Sequence, residues 1–206
     1  MAMMALDDEQ VLALVERALE EGVSGLSVIN ACEDGMRKVG ERYERQEVYL
    51  AGLIMAGEIF RQVMTVSQLS LEVEMTGTGS GKVLLGTVAG DIHNIGKNMV
   101  RMALRSFGFT VTDLGVDIPP ARFLEEARAF EPDVIGLSGL VSASYQSMRT
   151  TIELLHEEAA ESGRRLPIVI GGGTIDERVC EFVGADYWTT DAMEGVRICQ
   201  RITSGV

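Results

Sequence analysis

Five short apolar segments alternate with five amphipathic segments from residue 83 onwards, and this alternation constrains the fold more than any other feature. The apolar segments predict β-strands at 83–89, 109–114, 133–138, 167–171 and 185–189. The amphipathic segments predict α-helices at 95–107, 120–130, 144–162, 175–183 and 192–203. Apolar strands that alternate with helices form a parallel sheet whose two faces are both covered. We therefore predict an α/β fold with a five-stranded, doubly wound sheet of the flavodoxin-like or Rossmann-like kind.

The first 75 residues have helical periodicity instead. Helices are predicted at 7–21 and 24–45, and the segment at 48–73 is either one helix or two, because Gly52 and Gly57 lower its helix propensity. The one Gly/Ser/Thr-rich stretch of the chain follows this segment. We predict a helical bundle of three or four helices over residues 1–75, a linker at 76–82 and the α/β domain at 83–206.

Composition excludes several classes of function. The formal net charge of −13 argues against a nucleic-acid partner, because phosphate binding needs a surplus of Lys and Arg. No apolar run reaches the ~18 residues needed to cross a bilayer, and the first residues lack the basic start of a signal peptide. Cys32, Cys180 and Cys199 are too scattered for a disulfide framework or a CxxC metal site. We expect a cytoplasmic protein that does not bind membranes.

Three of the predicted strands end in unusual loops. The sequence Gly-Asp-Ile-His-Asn-Ile-Gly follows the first strand at 90–96, small hydroxyl residues follow the third at 138–144, and three glycines follow the fourth at 171–173. Ligand sites of open α/β sheets lie at the carboxyl ends of the strands, where these loops meet. Asp91 can bind one ring nitrogen of His93 and leave the other free as a base or metal ligand. This loop by itself leaves a general base, a zinc ligand and a purely structural histidine open.

The three loops together carry a family resemblance. Asp91-x-His93-x-x-Gly96, then Ser138-x-Leu140, then a Gly-Gly pair at 171–172 resemble the signature of cobalamin-binding domains. The sequence is most similar to the corrinoid proteins of methyltransferase systems and to the cobalamin-binding module of methionine synthase. The resemblance covers nearly the whole chain, and it implies a cobalamin cofactor.

The resemblance implies a role for each site residue. His93 would be the lower axial ligand of cobalt, Asp91 would hold its other ring nitrogen, and Ser144 would extend this proton relay. Ser138 and Ser142 would bind the nucleotide tail of the cofactor in a slot between the sheet and a helix. Gly171 and Gly172 would keep that slot open. The remaining cofactor contacts implied by the family are Gly90, Ile92, Asn94, Gly96, Leu140 and Ala192.

The N-terminal helices resemble the cap domain of the same family. The stretch Asp-Gly-Met-x-x-Val-Gly at 34–40 leads to Tyr43 and Leu50, which match the aromatic residue and the leucine that cover the upper face of the corrin. The family more often has Phe at the position of Tyr43, so its hydroxyl is a departure. The alternative is that Tyr43 and Leu50 simply belong to the core of the bundle.

The function implied by the resemblance is that of a methyl carrier, with cobalt alternating between Co(I) and methyl-Co(III). Such a protein is not catalytic alone. Its implied partners are a substrate-specific methyltransferase, a second methyltransferase that passes the methyl to tetrahydrofolate or coenzyme M, and a reductive activator. The donor would be an aryl ether (as for an O-demethylase), methanol, a methylamine or a betaine. A cobalamin-dependent sensor and the small subunit of an adenosylcobalamin mutase are the alternatives.

Overall fold

A computed structural model describes residues 1–73 and 80–204, without the side chains of Leu26 and residues 68–73. The chain divides into two compact units, Met1–Met75 and Thr76–Val206. Residues 76–79 of the predicted linker lie outside the described residues. The rest of that linker belongs to the second unit, because the Ser80 N–H donates to the Gly108 carbonyl at 3.2 Å and Lys82 begins the first strand. Among the described helices, none combines the length and hydropathy needed to cross a membrane.

The secondary structure of the described part of the first unit is all helical, with α1 at Ala2–Ala5, α2 at Asp8–Glu20, α3 at Gly25–Glu44 and α4 at Leu50–Val73. Side chains of Asp7 and Ser24 cap α2 and α3 by accepting backbone N–H bonds. The predicted segment at 48–73 thus contains a single helix, which begins at Leu50, and only the one-turn helix α1 was not predicted. The buried apolar residues include Val11, Val15, Ile29, Val39, Ala56, Ile59, Phe60 and Val63.

The second unit is the predicted α/β domain. Its elements are β1 Lys82–Thr87, α5 Ile95–Ser106, β2 Thr110–Asp113, α6 Pro120–Phe130, β3 Val134–Ser138, α7 Tyr145–Ser162, β4 Ile168–Gly171, α8 Glu177–Val183, β5 Tyr187–Thr189 and α9 Ala192–Ser204. A short 3-10 turn, Ser142–Ser144, precedes α7. The five strands are parallel in the order β2-β1-β3-β4-β5, which confirms the flavodoxin-like prediction.

The two faces of the sheet are packed differently. One face belongs to the main apolar core, which joins alternate strand residues to α6, α7 and α8 and includes Leu84, Ile135, Leu137, Ile168, Ile170, Phe123, Met148 and Ile152. On the other face, the end of β5 packs on α9, because a Cβ atom built on Gly195 would lie 3.6 Å from the Thr189 methyl. The functional loops lie where the carboxyl ends of β1, β3 and β4 meet.

Candidate functional site

The loop after β1 is organised by one buried carboxylate. The side chain of Asp91 is completely buried. Its Oδ1 accepts the backbone N–H of His93 at 2.9 Å and lies 2.6 Å from the Nδ1 atom of the same residue. Its Oδ2 accepts the N–H groups of Leu140 at 2.5 Å and Val141 at 3.1 Å. Asp91 therefore fixes the imidazole and ties the β1 loop to the β3 loop.

These contacts keep Asp91 ionised. Burial would raise the pKa of this carboxyl, but four hydrogen bonds, from the N–H groups of His93 and Leu140, the His93 ring and the Val141 N–H, lower it from 3.8 to about 2. Because an ionised carboxylate only accepts, the neutral imidazole carries its proton on Nδ1. Within the described residues, Nε2 makes no hydrogen bond, and the His93 side chain is 52% exposed. The Nε2 lone pair is thus directed away from Asp91 and accessible to a ligand.

The predicted relay from Asp91 to Ser144 is not formed. The Ser144 hydroxyl is buried and donates to the Val141 carbonyl at 2.8 Å. No hydrogen bond joins Ser144 to Asp91 in the part of the chain that the structure describes. The physical reason is that backbone N–H groups of the β3 loop already occupy Oδ2, so the hydroxyl closes the 3-10 turn instead.

Thr87, which sequence reasoning did not identify, holds the backbone of His93 in place. Its side chain is fully buried at the end of β1, and its hydroxyl donates to the His93 carbonyl at 3.0 Å. Thr87 lies inside the apolar run that predicted the strand, where a threonine is indistinguishable from other β-branched residues. Only the fold of the loop shows that its hydroxyl has a specific partner.

Small residues line up across four strands beside this loop. Thr87, Ser138, Gly171 and Thr189 are consecutive partners in the parallel register of β1, β3, β4 and β5. They therefore share one face of the sheet, and Thr189 faces Gly195 of α9. We call these four residues the small-residue row. The Ser138 hydroxyl is partly buried and has no hydrogen-bond partner among the described residues.

The two predicted slot glycines have different roles. Gly171 belongs to the small-residue row. Gly172 does not keep a slot open, because a Cβ atom at this position would lie 2.0 Å from the Gly139 carbonyl oxygen. Its φ of +151° is also unfavourable for other residues. Gly172 therefore lets the ends of β3 and β4 approach each other closely.

The other predicted contact residues of this unit lie at the same edge of the sheet. Ile92 is 73% exposed beside His93, and the backbone of Gly90 makes the turn before Asp91 with a φ of +85°. Asn94 is the N-cap residue of α5, and Gly96 is exposed in its first turn. Farther along the edge, Ser142 is exposed in the 3-10 turn and Ala192 begins α9.

A buried ion pair anchors the start of α5. The Lys97 side chain is 2% exposed, and its Nζ lies 2.5 Å from both carboxylate oxygens of Asp113 at the end of β2. Arg101 contacts the same carboxylate at 3.6 Å, and the Gly115 N–H donates to it at 3.0 Å. The amino end of α5, which follows the His93 loop directly, is thereby held against the sheet.

Tyr43 and Leu50 lie in the helical unit and are not part of its core. Their exposed fractions are 40% and 58%, at the end of α3 and the start of α4. Neighbouring positions Tyr49, Ile54 and Met55 are 89%, 65% and 51% exposed. We call these five residues the apolar patch. The alternative interpretation of Tyr43 and Leu50 as buried packing residues is therefore excluded.

Fold and site define a class of protein. A doubly wound parallel sheet carries one accessible imidazole at its carboxyl edge, beside a row of small residues. In the described part of the chain, no group of three His, Cys, Asp or Glu side chains could hold a metal ion by itself. This arrangement offers one imidazole nitrogen to a ligand at the edge where open α/β sheets bind ligands, and it is typical of a ligand-binding α/β domain.

Comparison with known proteins identifies the family. Two family models, both described as a B12 binding domain, match residues 81–197 and 1–67. The chain is 34% identical over 208 residues to dimethylamine corrinoid protein 2 of Methanosarcina acetivorans, covering 99% of this chain and 94% of that protein. The chain belongs to the B12-binding domain family, and the resemblance seen in its sequence is confirmed.

Solved structures agree with this family. The monomethylamine corrinoid protein of Methanosarcina barkeri superposes with a TM-score of 0.87 at 27% identity, covering 98% of this chain and 94% of that one. A cobalamin-binding protein of Desulfitobacterium hafniense is 36% identical with a TM-score of 0.56, covering 98% and 95%. The matches to these proteins extend over both units of the chain.

Proposed function

We propose that this chain is a corrinoid protein that carries methyl groups between methyltransferases. The observation that carries the proposal is His93, whose Nδ1 is held at 2.6 Å by a buried, ionised Asp91 while its Nε2 stays accessible. Membership of the B12-binding family and relatives named as methylamine corrinoid proteins support it. When bound, the corrinoid supplies a cobalt atom that accepts and releases a methyl group.

In this proposal, Nε2 of His93 would hold the cobalt of the corrinoid. Asp91 would fix the ring tautomer, because its ionised carboxylate accepts the Nδ1–H bond and leaves the Nε2 lone pair free to bind. Backbone N–H groups of the β3 loop hold Asp91 in place, whereas the Ser144 hydroxyl makes no hydrogen bond to it.

The residues fit a corrinoid in two further respects. Ser138 offers a hydroxyl without a partner among the described residues, and it lies in the small-residue row, whose short side chains we propose contact the nucleotide tail. The apolar patch, which includes Tyr43 and Leu50, offers aromatic and aliphatic surface of the kind that excludes water from a reactive methyl group. Ser142, Gly171 and Ala192 are proposed contacts of the same tail.

Partner proteins complete the proposed function. Corrinoid proteins work with methyltransferases, and we propose a donor-specific methyltransferase, an acceptor methyltransferase using tetrahydrofolate or coenzyme M, and a reductive activator. Relatives named for dimethylamine and monomethylamine favour a methylamine as the donor. Methanol, a betaine and an aryl ether are the alternatives.

Replacement of the proposed ligand tests the site directly. Chain reconstituted with hydroxocobalamin and reduced to Co(II) should show the electron paramagnetic resonance splitting of one axial nitrogen. We expect the His93→Ala variant to retain the corrinoid but lose that splitting. His156→Ala is the matched control, because His156 is the other histidine and lies on α7. An unchanged signal in His93→Ala would exclude His93 as the ligand.

A transfer assay separates the proposed function from its alternatives. Reduced holoprotein is mixed with each candidate methyltransferase and a radiolabelled donor, and the label retained by the protein is measured. Label from one donor class, lost on addition of an acceptor methyltransferase, is the expected result. Tight binding of adenosylcobalamin with a light-dependent change of oligomeric state would favour a sensor. Mutase activity with a large partner subunit would show that the chain is the small subunit of an adenosylcobalamin mutase.

A further inference from the structure

The segment between β2 and α6 lies alongside the loop that presents His93. The Gly115 carbonyl accepts the Thr87 N–H at 3.0 Å, and the Ile118 N–H donates to the Thr87 carbonyl at 3.0 Å. Val88 and Ile118 form an isolated parallel bridge. The residues at 115–118 therefore extend the sheet by one short strand-like connection, immediately beside the turn that leads to the histidine.

Asp117 makes the most specific contacts of this segment. Its Oδ1 accepts the Gly90 N–H at 2.8 Å, and its own N–H donates to the Asp91 carbonyl at 3.0 Å. Asp117 adopts a φ of +55°, a left-handed conformation that few residues other than Gly, Asn and Asp tolerate. An exposed residue in a left-handed conformation, with two hydrogen bonds to one loop, is the kind of feature found at functional sites.

The two hydrogen bonds of Asp117 restrain the turn at Gly90, which determines the position of Asp91. Gly90 turns the chain with a φ of +85°, and a Cβ atom there would meet nothing within 4 Å, so packing does not hold this turn. The Asp91 N–H closes the turn by donating to the Val88 carbonyl at 3.2 Å, and the side chain of Asp117 adds a further restraint by binding the Gly90 N–H. Because Asp91 in turn fixes the ring of His93, a change of backbone conformation at Gly90 would also move the imidazole.

We infer that Asp117 is a positioning residue for the cobalt ligand: it locks the Gly90 turn and thereby preorganises His93 for the corrinoid. This inference rests on the proposed function. Asp117 touches neither the imidazole nor, in this assignment, the cofactor. Its effect is on how readily His93 binds cobalt in competition with water or another ligand.

Three variants of Asp117 separate the effect of its carboxylate from the effect of its backbone conformation. Asp117→Ala removes the acceptor and strains the left-handed backbone, Asp117→Gly removes the acceptor but relaxes the backbone, and Asp117→Asn keeps an acceptor and tolerates the conformation. Because one lost hydrogen bond of this kind changes an equilibrium about tenfold, we expect Ala and Gly variants to act alike. We expect the Asn variant to stay within about threefold of the wild type.

Two readouts are measured at fixed pH. In the cofactor-free chain, amide hydrogen exchange at Gly90 is followed by NMR and is expected to accelerate about tenfold in Asp117→Ala and Asp117→Gly. In chain loaded with hydroxocobalamin, added imidazole competes with His93 for cobalt. The imidazole concentration that displaces half of His93 is expected to fall about tenfold in the same two variants.

Asp133→Ala is the matched control. Asp133 also makes a reciprocal pair of bonds, since its Oδ2 accepts the Lys82 N–H at 2.8 Å and its N–H donates to the Lys82 carbonyl at 2.9 Å. These bonds lie at the opposite, amino end of the strands. We expect faster exchange at Lys82 and unchanged displacement of His93.

The outcomes distinguish the inference from the function on which it rests. Wild-type chain that binds no corrinoid would overturn the proposed function and the inference with it. Wild-type chain that is ligated by histidine, with displacement unchanged in Asp117→Gly, would overturn the inference alone. An effect in Asp117→Ala but not Asp117→Gly would assign the change to backbone strain, and an equal effect in Asp133→Ala would assign it to general destabilisation. Either result also overturns the inference.

Discussion

Replacement of the buried carboxylate by Asp91→Asn is expected to destabilise the α/β unit in a pH-dependent way. The pKa of Asp91 is lowered from 3.8 to about 2, and its side chain is completely buried. A difference of this size between the unfolded and folded chain contributes about 2 kcal/mol. Because the folded pKa is the lower one, this contribution is complete above about pH 5 and is lost as the pH falls towards 2. About half of it, roughly 1 kcal/mol, is gone at pH 3.

The assay is urea unfolding of the cofactor-free chain at pH 7, 5 and 3. Trp188 in β5 is the single tryptophan of the chain, so its fluorescence reports on the α/β unit. We expect Asp91→Asn to cost about 3 kcal/mol at pH 7, because an amide offers one acceptor oxygen where four donors converge. Other carboxylates titrate equally in both proteins and cancel in the difference. A difference that stays constant from pH 5 to pH 3 would refute the assignment of the lowered pKa to Asp91.

Two further predictions concern packing and charge. Lys97→Met should destabilise the chain by about 3 kcal/mol, because it leaves the partly buried Asp113 without its main partner. In a double-mutant cycle, the variant that also carries Asp113→Asn should lose less stability than the sum of the two single losses. Additive losses would show that the two side chains are not coupled. Gly172→Ala should lower the free energy of unfolding in urea by at least about 3 kcal/mol, because the new Cβ clashes and the φ is positive. Gly173→Ala is the control. Its Cβ would lie 3.6 Å from Leu140, so the free energy of unfolding should change by less than about 0.5 kcal/mol. Equal stability of the two alanine variants would contradict the close approach at Gly139.

The pattern of the sequence was sufficient for the architecture. Apolar strand segments and amphipathic helix segments have different periods, so their alternation predicts both the element types and the parallel sheet. The predicted strands and helices of the α/β domain differ from the structure by no more than two residues at each end. Helix α1 was not predicted, because four residues are too few to establish a helical period.

Side-chain environment in the helical unit was less predictable. Leu50 and Ile54 fit the apolar pattern of α4 as well as the buried Ile59 and Phe60 do, yet the first two are exposed. A helical period shows which residues share a face, but it does not show whether that face is covered along its whole length. The packing of α4 against the other helices decides this.

At the site, the sequence by itself determined the chemical groups, since Asp91 and His93 stand two residues apart and a short loop brings such a pair into contact. Only the tertiary structure decided what surrounds them. Backbone N–H groups of the β3 loop, 49 and 50 residues away from Asp91, replace the expected hydroxyl of Ser144. Asp117 likewise reaches Gly90 across 27 residues. The physical reason is that hydrogen bonds between distant segments depend on strand order and register, which local periodicity does not specify.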